Sequence, residues 1–278
     1  MVATKMRGLS PAQVRAFRQR VRRHYARHGR LFPWRDAPLP YRVLVSEVML
    51  QQTQVDRVAE RFPGFIASFP DFPSLARAPL RRLLAAWSGL GYNRRALALK
   101  ETAARIVAGP GGALPPSPEE LRLLPGIGRA TAASIAAFAF NAPVVFVETN
   151  IRAAFIHEFF PARRTVADRE LLPLVRQTLD RRNPREWYNA LMDYGAMLKR
   201  RHGNLARRSA HHRGQPPFAG SDRELRGRLL RLMLAEGAAV TRLLAVRLGE
   251  DVPRVKKILG GLRRDGLVAQ RGARWSIA

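Results

Sequence analysis

Cysteine is absent from all 278 residues, which excludes disulfides, thiolate metal sites, cysteine-held iron–sulfur clusters and a cysteine nucleophile at once. Acidic residues are scarce: 21 Asp plus Glu stand against 49 Lys plus Arg, a formal charge of +28. No small acidic metabolite needs that much charge, so a polyanionic partner is expected. Lysine is scarce too, being confined to Lys5, Lys100, Lys199, Lys256 and Lys257. The remaining cations are guanidinium groups, which pair bidentately with phosphate, although a GC-rich genome imposes the same bias. Long apolar runs are missing. The longest, Ala130 to Phe140, stops at Asn141 and Pro143, falls short of a bilayer span, and reads as a buried helix. Arginines scattered from Met1 to Arg30 leave no signal-peptide pattern, so a cytoplasmic protein with no membrane partner is expected.

What is present is a core-forming composition, 46% hydrophobic, long enough for one large domain or two smaller ones. Residues 11–30 read as a basic helix, Tyr41 to about Phe62 as helical, and Leu80, Leu83, Leu84 and Trp87 repeat at amphipathic-helix spacing. Short Pro and Gly breaks separate the segments, and Val144 to Val147 is too short to argue for a sheet. The expectation is a mainly α body over residues 1–201, a basic linker or loop over 202–221, and a second unit over 222–278. In that unit, Arg223–Glu236, Thr241–Leu248 and Val252–Arg264 read as helices and Gly266 to Ile277 as two strands around a turn: a winged-helix-like domain. It carries 13 Lys plus Arg against 6 Asp plus Glu, so it is cationic like the body. Its third helix, with Arg254, Lys256 and Lys257, is the expected groove-reading element, unless that face is only solvated or the module packs against protein.

Two segments carry chemistry. The hairpin expected over 118–140 contains Leu124-Pro-Gly-Ile-Gly128 followed by Arg129. Gly126 and Gly128 let the backbone approach a phosphate while the next helix aims its N-terminal amides at the anion. Such contacts give affinity and register without choosing a sequence. In Ser46-Glu-Val-Met-Leu-Gln-Gln-Thr-Gln-Val55, helical spacing puts Glu47, Gln51 and Gln54 on one face, suited to a base edge and equally to solvent.

These motifs occur in order with Trp34-Arg35, Trp87-Ser-Gly-Leu-Gly-Tyr92, Glu148-Thr-Asn150 and Ala190-Leu-Met-Asp-Tyr-Gly-Ala-Met197. The set, over roughly residues 30–200, resembles the helix-hairpin-helix (HhH-GPD) base-excision DNA glycosylases, particularly their adenine-directed branch. The resemblance implies a two-lobed helical body that flips a base out of duplex DNA, with mismatched or damaged duplex as partner and a monomeric enzyme. Glu47 matches the family's catalytic glutamate, which protonates the leaving purine and helps deliver water. Gln52 and Tyr92 match residues that wedge into the stack, and Asn150 matches an asparagine beside the second carboxylate. Glycoside chemistry needs an acid for the leaving group and a carboxylate for the oxocarbenium-like sugar, which makes Glu47 and Glu148 the candidate pair.

The chain departs from that pattern in four places. The family has an aspartate where Glu148 stands, so the pocket is rebuilt, the chemistry is weakened, or Glu148 caps the following helix. Ala130 stands where bifunctional relatives carry a Schiff-base lysine, which implies a monofunctional enzyme without strong lyase activity. Residues 199–213 replace four cysteines that hold an iron–sulfur cluster in most relatives, so no cofactor is expected; a zinc site from His202, His211 and His212 is disfavoured by the ligand set. The winged-helix-like tail replaces a β-rich domain that reads 8-oxoguanine. The excised base therefore stays open between mismatched adenine and uracil or mismatched thymine, with a non-catalytic binder of damaged or branched DNA as the alternative from another class.

Overall fold

The computed structural model describes residues 8–210, 214 and 217–278. In chain order its helices are α1 (Pro11–His28), α2 (Pro33–Asp36), α3 (Pro40–Leu50), α4 (Val55–Ser68), α5 (Phe72–Arg77), α6 (Leu80–Trp87), α7 (Arg94–Ala108), α8 (Pro118–Leu121) and α9 (Arg129–Phe140). They continue with α10 (Thr149–Phe159), α11 (Asp168–Thr178), α12 (Pro184–His202), α13 (Asp222–Glu236), α14 (Thr241–Leu248) and α15 (Val252–Arg264). Strands β1 (Ala239–Val240), β2 (Val268–Arg271) and β3 (Arg274–Ile277) pair antiparallel in the order β1-β3-β2. No helix among the described residues is long and apolar enough to cross a membrane. The chain divides into two compact units, one of residues 1–44, 115–123 and 127–214, the other of 45–114, 124–126 and 215–278.

The first unit is built around α1, α9, α10, α11 and α12. Ser10 and Gln13 close a capping box and Pro11 opens α1 with its fixed φ. Phe17 then meets Phe155, Phe159 and Trp187 edge-on at 5.2, 5.1 and 6.0 Å, locking α1 against α10 and α12. The apolar run expected to be a buried helix is α9, with Ala132 to Ala139 buried. It ends at Asn141, left-handed at φ 55°, and Arg185 donates to the Phe138 and Ala139 carbonyls left open there. No strand forms at Val144–Val147.

The 202–210 stretch is partly docked. Val166 and Ser209 form a parallel bridge, Ala206 and Ser209 are buried, and Arg208 donates to the carbonyls of Phe160, Pro161 and Arg163 at the end of α10. Arg208 is thus turned inward as a helix C-terminal cap. His211 and His212 lie outside the described residues, and His202 stacks on His157 at 4.8 Å. Residues 199–210 offer no thiolate, so they do not fit the cluster that most relatives carry.

The second unit buries Val58, Phe62, Phe65, Leu75, Leu83, Trp87 and Leu99 from α4 to α7. Its C-terminal part is winged-helix-like, three helices and a small sheet whose Gly272 at φ 57° makes the β2–β3 turn. Strand β1 was not anticipated because two residues carry no periodicity. Its core runs without interruption into the helical layers: Leu84 is buried in one cluster with Leu225, Leu229, Leu230 and Met233, and Leu80 and Leu97 pack against it.

One expectation is corrected. Tyr41 to Phe62 is not one helix, because α3 ends at Leu50 and α4 begins at Val55. The cause is remote in sequence. Arg95 donates to the carbonyls of Val48, Met49 and Gln51 at 2.8, 2.8 and 2.6 Å, taking acceptors that a continued helix would use, and Gln52 turns left-handed at φ 55°. Glu47, Gln51 and Gln54 therefore do not form one helical face.

Candidate functional site

In the second unit the site is a set of turns held by one arginine. Glu47 sits in the last full turn of α3, partly exposed between buried Ser46 and Val48. Beyond it the chain breaks at Gln51–Gln54, and a second turn, Ser88–Asn93, precedes α7. Arg95 ties both together: its other amino group donates to Thr53 Oγ1 at 2.9 Å and to the Leu90 and Gly91 carbonyls at 3.1 Å. Its guanidinium lies 5.5 Å from the ring centres of Trp87 and Tyr92, and burial pushes its pKa down to about 10, still charged at neutral pH.

Gln52 and Tyr92, the expected wedge residues, are both exposed and both left-handed, at φ 55° and 47°. For side chains of that size the conformation costs about 1 kcal/mol or more each, and it persists because Arg95 over-determines both turns. Gln51 does something sequence reasoning missed. Its amide donates to the Gly126 carbonyl at 3.1 Å, linking the turn after α3 to the hairpin.

Gly126 itself has φ 74°, and a Cβ there would stand 3.0 Å from that of Ala98. Thr102 donates to the preceding Pro125 carbonyl at 3.2 Å. Gly128 is the N-cap of α9, exposed, with open space where a side chain would go, and Arg129 beside it is exposed. The start of α9 is thus exposed, with its N-terminal turn facing the glycine loop. Ala130, also exposed, follows.

In the first unit the second carboxylate is fixed by a helix start. Glu148 is the N-cap of α10: its Oε1 accepts from the Asn150 and Ile151 amides at 2.7 and 2.8 Å. The capping alternative is therefore realised. Among the described residues, its Oε2 has only the 3.4 Å contact of the Asn150 side-chain amide. Burial pushes the Glu148 carboxyl up, while the two amides and the charges of Lys199 and Arg152 oppose that shift. Lys199 was not anticipated: its Nζ lies 3.3 Å from Asn150 Oδ1, one helix over on α12. The readable signal was Gly195 one turn earlier, where a Cβ would fall 2.0 Å from the Asn150 carbonyl oxygen, so only glycine lets α12 pass this close to α10.

The Trp34-Arg35 and Ala190–Met197 motifs meet at Asp193, buried to 2% exposure. It accepts from the Arg30 amide and side chain at 2.8 and 2.7 Å and from both arms of the Arg35 fork at 2.9 and 3.0 Å. Burial alone would raise this carboxyl, but the Arg35 and Arg30 bonds hold it below the usual range. These motifs brace the unit rather than perform chemistry.

In the C-terminal part, Arg254 pairs with Glu250 at 2.7 Å and Asp222 at 3.4 Å, and Lys257 lies 3.5 Å from Asp222. Lys256 is exposed. Part of the basic face expected to read a groove is therefore neutralised by acids of its own domain. No group of three or more potential metal ligands occurs among the described residues.

A glycine turn opening a helix N-terminus, two strained exposed turns and a capped carboxylate define a helix-hairpin-helix protein that works on DNA. The comparisons agree: residues 45–173 match the HhH-GPD superfamily of base excision DNA repair proteins. An adenine DNA glycosylase of Mycobacterium tuberculosis is 34% identical over 267 residues, 88% of this chain and 88% of that one. One from Mycolicibacterium smegmatis is 32% identical over 287 residues, covering 94% and 93%. The human adenine DNA glycosylase is 35% identical over 67% of this chain but only 36% of its own length. A thermostable thymine-DNA glycosylase shares the fold at TM-score 0.59 and 23% identity, covering 67% of this chain and 87% of that one. A trapped endonuclease III–DNA intermediate does so at TM-score 0.55 and 20% identity, over 77% and 92%. The chain belongs to the HhH-GPD superfamily, and it is a base-excision DNA glycosylase.

Proposed function

We propose that this glycosylase removes adenine from a mismatch in duplex DNA, acting as a monomer and leaving an abasic site without strong strand cleavage. The supporting observation is the match along nearly the whole of both chains to bacterial proteins named adenine DNA glycosylase. On this reading Glu47 protonates the leaving purine, and Glu148, held by the Asn150 and Ile151 amides, stabilises the sugar cation through its less occupied oxygen. Gln52 and Tyr92 fill the gap left by the flipped nucleotide, and Gly126, Gly128 and Arg129 hold its backbone. Ala130 supplies no amine for a Schiff base, which supports hydrolysis alone.

The test is single-turnover incubation with duplexes carrying adenine opposite guanine or 8-oxoguanine, or uracil or thymine opposite guanine, each with and without alkali. Breaks at adenine only after alkali are expected. Breaks at uracil or thymine would favour the second reading, which the extra methylene of Glu148 motivates.

A further inference from the structure

The second unit holds a groove of about 1050 Å³ that starts at the Gln51–Gln54 and Ser88–Asn93 turns of the candidate site and runs on to α13, beyond the residues given a role in base release. One wall is α4, where Arg57 and Arg61 stand one helical turn apart, both exposed. The facing lining comes from α13 of the winged-helix-like part, where Arg223, Gly227 and Arg231 repeat every fourth residue and form a cationic stripe with a bare centre. The floor is the Ser88–Asn93 turn. Arg57 reaches the Gly89 carbonyl at 3.4 Å, and Arg223 donates to the Tyr92 hydroxyl at 3.1 Å. Seven arginines line the groove against two acids, Glu60 and Asp265. Asp265 is engaged by Arg226 and lies 3.6 Å from Arg94, and Glu60 lies 3.5 Å from Arg61.

We propose that this groove binds the sugar–phosphate backbone of a DNA strand, so that the winged-helix-like part contacts DNA through its first helix, α13, and not through α15. Three observations favour this. The groove carries seven guanidinium groups against two carboxylates, and phosphate is the anion that matches them. Gly91 leaves open space for a backbone to approach, and the guanidinium groups of Arg61 and Arg231 lie over Gly89 and Gly227. The groove also begins at Gln52 and Tyr92, so a strand leaving the wedge residues enters it directly. On α15, by contrast, Arg254 and Lys257 already face Glu250 and Asp222. Leu84 of α6 and Leu230 of α13, buried in one core, fix α13 against the helix that precedes the Ser88–Asn93 floor.

The proposal rests on the DNA-glycosylase reading for its partner, but its test uses undamaged duplex and no catalysis. Absence of adenine release would defeat the adenine reading and leave this result standing. The affinity of the full chain for an undamaged duplex is titrated between about 50 and 200 mM salt, for wild type and for the triple variant Arg57→Gln, Arg61→Gln, Arg231→Gln. These side chains are exposed, and thermal melts check that the variant folds. Each lost phosphate contact flattens the plot of log affinity against log salt by about 0.9, so a slope shallower by roughly 2 to 3 is expected. The matching triple lysine variant retains most of the slope. A wild-type slope in the glutamine variant overturns the proposal. So does a slope lost instead in Lys256→Gln, Lys257→Gln, or saturable capture of a free nucleoside triphosphate that the triple variant abolishes while its duplex slope stays intact.

Discussion

At the level of single residues, two carboxylates show opposite responses to burial. Asp193 is over-compensated by Arg30 and Arg35, so its folded pKa lies below the unfolded one. It contributes stability above the pKa of an ordinary aspartate, and that contribution is lost as pH falls through its folded value. Asp193→Asn strips the partner from two guanidinium groups and is expected to cost about 3–5 kcal/mol, read in a denaturant melt at pH 7. Glu148 is under-compensated, so its folded pKa lies above the unfolded one, and its charge weakens the fold at neutral pH. That penalty fades as pH falls through its folded value. If the anion is the working form, the single-turnover rate falls on the acid side above the ordinary glutamate range. Lys199→Met removes a cation that stabilises the anion, so the acid limb is expected to move to higher pH, whereas Lys199→Arg leaves it in place. An acid limb that stays put in Lys199→Met contradicts the assignment. That Glu148 caps the helix after it was legible as one of the roles the sequence left open for it. Lys199 was not, because its position depends on how closely α12 passes α10.

Among the elements, periodicity identified α1, α6, α9, α14 and α15 nearly to the residue, since each carries an amphipathic or continuous apolar pattern, reinforced in α1, α6 and α15 by a cap or a proline at the start. The break between α3 and α4 escaped because no Gly or Pro marks it; a guanidinium some forty residues downstream ends the helix. Arg95→Met is therefore expected to strip the guanidinium donor from the Val48 and Met49 carbonyls and to loosen both turns, which keep only the Thr53 and Trp87 donors, costing about 3 kcal/mol and weakening duplex binding through Gln52 and Tyr92. The hairpin turn, by contrast, was readable because glycine alone tolerates its geometry. Gly126→Ala combines φ 74° with a 3.0 Å contact to Ala98 and should cost about 1–2 kcal/mol while lowering affinity for any duplex sequence alike. A sequence-selective loss in binding titrations would contradict a phosphate role.

For the molecule as a whole, the +28 charge pointed to a polyanionic partner before any motif was read, and the exposed arginines of α4 and α13 give part of that charge a location. The tail's helices and wing were also legible, but not that its core is shared with α6 and α7, since a buried leucine looks the same whichever neighbour covers it. Deleting residues 215–278 uncovers Leu80, Leu84 and Leu97 and is expected to cost about 4 kcal/mol and promote aggregation, measured by melting and light scattering. The central claim is that Glu47 performs base release in a chain with no cluster-forming cysteine. The most direct measurement is the single-turnover release of adenine from a mismatched duplex by wild type and Glu47→Gln, with duplex affinity measured alongside. The account predicts release by the wild type, a loss of at least a hundredfold, of the order of a removed general acid, and unchanged affinity in the variant; undiminished release by Glu47→Gln would contradict it.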